Sequence, residues 1–324
     1  MGIWRGNLLF ILTLSAVCGM LFSLASGAVK INPLDIWRVL ISQDPSPIRD
    51  IVWNIRLPRT LVAALVGVNL SISGVLLQGV MRNPMADPHI IGVSSGAGLI
   101  GLAVLIIFPA HAYLLTPAAF LGAIGAALLI YALSWKRGAS PIRVILAGVA
   151  VSALLNSGIS GLLTFYSDRV EGALIFLVGG LSARSWPHVD LMLPYTLGGL
   201  LLTMIGSQRM NILLMGEEVA KSLGLRVEFS RLYFTAVATL LAASAVSVAG
   251  LLGFVGLIVP HAARMLVGND FRILIPASAL LGITVLTISD TLARIVFAPI
   301  ELPVGILMGV IGAPFFIYLL RKKS

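Results

Sequence analysis

Residues 88–135 read PHIIGVSSGAGLIGLAVLIIFPAHAYLLTPAAFLGAIGAALLIYALSW, 48 positions without one Asp, Glu, Lys or Arg. About 20 apolar residues cross the hydrocarbon of a bilayer as a helix. This stretch is therefore long enough for two crossings, with the turn between them near Pro109 to Pro117. Working outward, further uncharged stretches run 6–29, 60–81, 144–167, 191–208, 232–263, 273–289 and 302–320. The 232–263 stretch is also too long for one span, and Gly250, Gly253 and Gly256 divide it. The sequence thus predicts an all-α, polytopic membrane bundle of about ten transmembrane helices, forming one domain over residues 1–324. An extra apolar piece, 172–183, is too short to span and reads as an interfacial or re-entrant helix.

Composition agrees. The 324 residues are 58% hydrophobic and 11% charged, with 22 Lys plus Arg against 13 Asp plus Glu. That is too little charge to solvate a soluble protein of this length. The +9 balance does not point to nucleic acid, because no dense basic run with interleaved aromatics occurs beyond Arg321-Lys322-Lys323. The one cysteine, Cys18, excludes an intrachain disulfide or a cysteine-rich metal site. The first apolar run, Gly6 to Val29, is too long for a signal-peptide core, and Val17 before Cys18 does not suit a lipoprotein site. The first helix is expected to be retained.

The basic residues orient the bundle. With both termini in the cytoplasm, as an even count requires, 14 of the 22 Lys and Arg fall inside. Five of the remaining eight cluster in one outer connection: Lys30, Arg38, Arg49, Arg56 and Arg59, facing Asp35, Asp44 and Asp50. Snorkelling to lipid headgroups is one explanation; a docking surface for an acidic partner or substrate outside the cell is the other.

Within the spans, Ser152, Asn156, Ser160 and Thr164 recur every fourth residue on the fifth helix. Four residues advance a helical face by only about 40°, so they form one polar stripe. It either bonds a neighbouring helix or lines a solute pathway. None of the four ionises, which argues against a proton relay. The pairs Gly92/Gly96 and Gly305/Gly309 have the spacing of close helix packing.

Chemistry is otherwise missing. His89, His111, His188 and His261 make no metal-ligand spacing, and Gly92–Gly98 lacks the Gly-Lys-Ser/Thr ending of a phosphate loop. An intramembrane enzyme would need a nucleophile–base pair or metal ligands at depth. No metal or other cofactor is expected, and an active transporter of this composition needs a separate motor. The longest cytoplasmic connection, residues 209–231, holds a candidate contact: a short helix with Val219, Ala220 and Leu223 as its apolar face, Glu217, Glu218 and Lys221 elsewhere, and Gly224 as its stop. Such a helix lies on the membrane or docks a protein; two flanking spans favour the second. A passive channel or ion-coupled transporter remains the competing class.

At these residues the chain resembles the permease subunits of ATP-binding-cassette (ABC) importers for iron–siderophore complexes, haem and cobalamin. The resemblance spans nearly the whole chain. It rests on Arg56-Leu57-Pro58-Arg59, Gln78-Gly79-Val80-Met81-Arg82-Asn83-Pro84-Met85-Ala86-Asp87-Pro88, the Gly216–Leu225 loop, Gly253 to His261, Asp290-Thr291-Leu292-Ala293-Arg294 and Glu301-Leu302-Pro303-Val304-Gly305. It implies a bacterial inner-membrane permease paired with a second, identical or closely related, permease subunit. It also implies two cytoplasmic ATPase subunits, an external substrate-binding protein, and an inverted repeat of helices two to five and seven to ten. By the same resemblance, Arg56, Arg59 and Arg294 would meet acids on the binding protein. Gly216, Glu217, Glu218, Ala220, Leu223 and Gly224 would couple to the ATPase. Asn83, Met85, Ser140 and Pro141 would lie near the cytoplasmic gate, and the fifth helix with the short helix that follows it would line the pathway. An iron–siderophore-type chelate is the expected cargo, with haem, cobalamin or an oxyanion as alternatives.

Overall fold

A computed structural model describes residues 2–27, 31–41, 46–136 and 140–323. The expectations placed on Lys30, Asp44 and Arg137 lie outside the described residues. In chain order the helices are α1 (Gly2–Ala25), α2 (Pro33–Ile41), α3 (Pro47–Val80), α4 (Val93–Ile107), α5 (Leu115–Ser134), α6 (Pro141–Phe165) and α7 (Val170–Val178). They continue with α8 (Trp186–Leu214), α9 (Glu217–Ser222), α10 (Val227–Ala249), α11 (Val255–Val267), α12 (Phe271–Ile295) and α13 (Val304–Lys323). Among the described residues, seven helices are long and apolar enough to cross a membrane, and three shorter apolar ones, Val93–Ile107, Val255–Val267 and Val304–Ile317, bring the set to ten. The breaks fall where the sequence places them. The first lies at Phe108 and the Pro109–Leu114 turn, the second between Gly250 and Phe254.

Helix ends differ from the uncharged-run limits for a simple reason: a charge at a helix end need not end the helix. Thus α3 starts at Pro47 and carries Arg49, Arg56 and Arg59 through a π-turn at Ile51–Arg56. Likewise α8 runs through Arg209 to Leu214. Only residues 215–226 then separate α8 from α10, and α9 occupies half of that link.

The core is built around α3 and α10, whose apolar windows are 89% and 78% buried, against 22% for α6. Glycines set the close contacts. A Cβ on Gly74 would fall on the Gly256 carbonyl oxygen of α11, and one on Gly67 would meet that of Gly282 in α12. Polar side chains join α3 to α10: Asn69 Nδ2 donates to Ser244 Oγ at 2.8 Å and Ser73 Oγ to the Ala238 carbonyl at 2.7 Å. In lipid, such interhelical bonds and small-residue packing replace the hydrophobic drive of a soluble core.

At 13 residues, α11 is about 20 Å long at 1.5 Å per residue, short of the roughly 30 Å hydrocarbon. The unwound link before it therefore reaches membrane depth, where backbone polar groups need protein partners. Helix α7 supplies them. Gly180 N donates to Ala249 O at 2.8 Å, Leu251 N to Phe176 O at 3.1 Å, and Gly305 N to Gly179 O at 3.0 Å. The apolar piece 172–183 is thus a brace against the α10–α11 break and the start of α13.

The most buried helices, α3 and α10, are each followed by a non-helical link and a short helix of 15 or 13 residues. Two further helices follow in each case, α5 and α6 in the first and α12 and α13 in the second.

Candidate functional site

Polar chemistry gathers at the two ends of the bundle and along one face of α6. The ends are well separated, since the 29 residues of α8 span about 43 Å.

At the first end, Arg59 forms a fork onto Asp290 of α12, with Nε to Oδ2 and Nη2 to Oδ1 both at 3.0 Å. Its Nη1 reaches Glu301 Oε2 at 2.8 Å. Arg294, one turn beyond Asp290, lies 3.3 Å from the same carboxylate and donates to Ser23 Oγ and Thr291 Oγ1 at 2.9 and 3.1 Å. Arg56 Nη1 donates to the Leu24 and Ala25 carbonyls at 2.7 and 3.0 Å, where α1 runs out of its own donors. The three arginines named for docking are thus brought together, but they are buried, at 5%, 7% and 7% exposure, and already hydrogen-bonded.

A fourth arginine joins them. Arg184, in the α7–α8 link, lies 3.4 Å from His188 Nε2, and among the described residues its buried Nε has no hydrogen-bond partner. Burial, and then the neighbouring Arg59 charge, push its pKa below the usual arginine value. Burial would raise the Glu301 carboxyl, but the Arg59 hydrogen bond and charge outweigh it and hold the group below the ordinary carboxylate range. Within this cluster four guanidiniums face two carboxylates. Apart from its place in the orientation count, nothing in the local sequence marks Arg184.

At the opposite end, α9 is closed at its C-terminus by Gly224 at φ 79°. Leu225 N donates to Ala220 O and Gly224 N to Lys221 O, both at 2.9 Å, the double closure that needs a left-handed residue. Glu217 ties α9 down: Oε1 accepts from Lys221 Nζ at 2.8 Å and Oε2 from Arg231 Nη2 at 3.0 Å. Arg231 also holds Glu228 at 3.0 Å. These hydrogen bonds, first from Lys221 and then from Arg231, hold the Glu217 carboxyl below its ordinary value. The apolar face expected of this helix is split. Ala220 is fully buried against the bundle, while Val219 and Leu223 are 41% and 58% exposed, next to exposed Met215. Glu218 is exposed as well. The period of three to four residues marks an apolar face but does not say which part of it meets the parent bundle.

Asn83 and Met85 lie at this same end, where Asn83 Oδ1 accepts from Met85 N at 2.9 Å and shapes the turn after α3. Ser140 caps α6, its Oγ accepting from Arg143 N at 3.4 Å, and Pro141 follows as the first helical residue. Met81 and Pro141 line one small cavity with Arg231, which brings the end of α3 and the start of α6 together.

Along α6, Asn156, Ser160 and Thr164 are exposed and Ser152 is half-buried, its Oγ unpartnered. Asn156, Ser160 and Thr164 therefore face away from the described residues, whereas Ser152 Oγ is turned inward beside Gly92. The three share that open face with Leu146 and Val149, both more than 60% exposed.

Ten apolar helices, a polar helix face and two charged ends define a multi-pass membrane transport protein. The profile of the FecCD transport family matches residues 13–322, and the chain belongs to that family. It is 40% identical to the Fe(3+)-citrate import system permease protein YfmE of Bacillus subtilis, over 98% of this chain and 96% of that one. It is 45% identical to the cobalamin import system permease protein BtuC of Halobacterium salinarum, over 86% and 76% of the two chains. A solved ABC transporter assigned to the metal-chelate type, in an inward-facing conformation, superposes with a TM-score of 0.87 at 32% identity, covering 98% of this chain and 99% of that one. The relatives are transport permeases, not enzymes.

Proposed function

We propose that the chain is the membrane-spanning subunit of an ABC importer that carries an iron–siderophore-type metal chelate inward by alternating access. The observation that carries this reading is α9. A helix clamped by Glu217 to Arg231 yet presenting Met215, Val219 and Leu223 to water is a fixed knob, shaped to enter a cleft in a soluble motor. Two ATPase subunits are its proposed partners, and the end bearing α9 is then cytoplasmic, with both termini on that side of a bacterial inner membrane. Co-purification tests the knob directly. The ATPase should follow the wild-type permease through affinity purification and be lost from Leu223→Asp; retention by that variant would refute the contact.

The open face of α6 supports a second copy of the chain, with the pathway between the two. Asn156, Ser160 and Thr164 would be costly against lipid and are accommodated along a water-filled seam. Gates at that seam would involve Asn83 and Met85 after α3 and Ser140 and Pro141 before α6. The surplus of guanidiniums over carboxylates in the cluster of Arg56, Arg59, Arg184 and Arg294 supports docking of an acidic external binding protein. An iron chelate as cargo is supported by the iron–citrate relative and by the metal-chelate-type neighbour. The cobalamin relative supports the alternative cargo.

A further inference from the structure

The ends of α3 and α11 border an open cavity of about 610 Å³ lined by Gln78, Arg82, Asn83, His261, Arg264 and Asn269, together with Leu214, Pro84 and Met265. That is the size of a small-molecule site, for which about 300–1,000 Å³ is usual. No carboxylate lines it. Arg264 is half-buried in α11, and the partner of its guanidinium is a neutral amide, the Gln78 Oε1. Gln78 is in turn fixed by donating Nε2 to Gly256 O at 3.2 Å. The acids closest in sequence have partners of their own. Asp87 accepts from His89 N at 2.9 Å, and Asp270 accepts from Asn211 Nδ2 at 2.8 Å and Arg272 N at 3.1 Å. Arg82, also without an ion pair among the described residues, is exposed and held at a left-handed φ of 49°. Outside glycine that conformation is uncommon.

A partly buried guanidinium without a counter-charge is unfavourable unless an anion completes it. Two guanidinium forks beside amide donors suit the three oxygens of a phosphate group. We propose that this cavity is a phosphate-binding site, filled by the headgroup phosphate of an anionic phospholipid or by a free phosphate ion. Basic cavities between helix ends at the cytoplasmic surface are where anionic headgroups bind, and the apolar Leu214 and Met265 would pass the acyl chains to the bilayer. A phosphate there would join α3 to α11.

The test uses the purified full-length chain in neutral detergent. One arm titrates phosphatidylglycerol, with phosphatidylcholine as control, and counts retained lipid by native mass spectrometry. The other titrates inorganic phosphate against chloride at fixed ionic strength and follows the melting temperature. At least one arm should show binding by the wild type that falls tenfold or more in Arg82→Gln and in Arg264→Gln. A lipid-arm response assigns the source to the headgroup, and a phosphate-arm response to the free ion. Since Arg82 is exposed, its variant decides the matter alone if Arg264→Gln does not fold. No selective binding in either arm, or binding unchanged by Arg82→Gln, overturns the proposal.

Discussion

Replacing Asp290 by Asn should destabilise the protein far more than replacing Glu301 by Gln, although both carboxylates hold Arg59. Asp290 is 1% exposed, takes two 3.0 Å hydrogen bonds from Arg59 and lies 3.3 Å from Arg294. Asn preserves its shape but removes the charge and turns an amide donor toward one of two guanidiniums. Arg294 then has only the neutral Ser23 and Thr291, and Arg59 only Glu301. Breaking one partner out of a buried ionic cluster costs about 3–5 kcal/mol. Glu301 is 44% exposed, so water replaces much of what it provides, and its loss should cost about 0–1 kcal/mol. Unfolding curves in mixed SDS–maltoside micelles measure both. Adding Arg294→Gln to Asp290→Asn should recover part of the loss, because it removes one of the stranded charges. An Asp290→Asn protein as stable as wild type, or less affected than Glu301→Gln, would refute the reading of this end as an internal clasp.

Three further outcomes follow from other parts of the bundle. Asn156→Leu should lower transport while leaving thermal stability unchanged or slightly raised, because the side chain is exposed on α6; uptake at the wild-type rate would place that face against lipid. Gly224→Ala puts a Cβ at φ 79°, a strain of roughly 1 kcal/mol, and combined with Glu218→Lys it should leave ATP hydrolysis running with uptake lost; coupled uptake in the double variant counts against the knob. Glu217 has a folded pKa below its ordinary value of about 4.5, so its stabilising contribution is full above the unfolded value and disappears as pH falls through the folded one. The stability difference between wild type and Glu217→Gln should be flat near neutrality and vanish at acid pH; a pH-independent difference would deny Glu217 its ionic role.

Local features of this chain were legible in its sequence, and long-range pairings were not. Span length and charge position depend on a few neighbouring residues, so the ten apolar helices, the Pro109 and Gly250 breaks and the Gly224 stop could all be read off. The motif residues Arg59, Asp290 and Glu301 stood out individually. Their union joins positions 231 and 242 residues apart, which no periodicity encodes. Arg56 shows the same limit: its partners are the last carbonyls of α1, which carry no side-chain signal. Ala220 turned inward while Val219 and Leu223 turned out, because a pattern of apolar residues gives a face but not the surface it meets. The polar stripe on α6 was visible, whereas its outward direction depended on how the other helices pack around α3 and α10.

The most direct test of the account is uptake in proteoliposomes holding this permease, its ATPase and its external binding protein, loaded with a radioactive ferric chelate. Accumulation against a gradient that requires ATP, the binding protein and all three components together is the predicted result. Uptake by the permease alone, driven by an ion gradient or by simple equilibration, would contradict it.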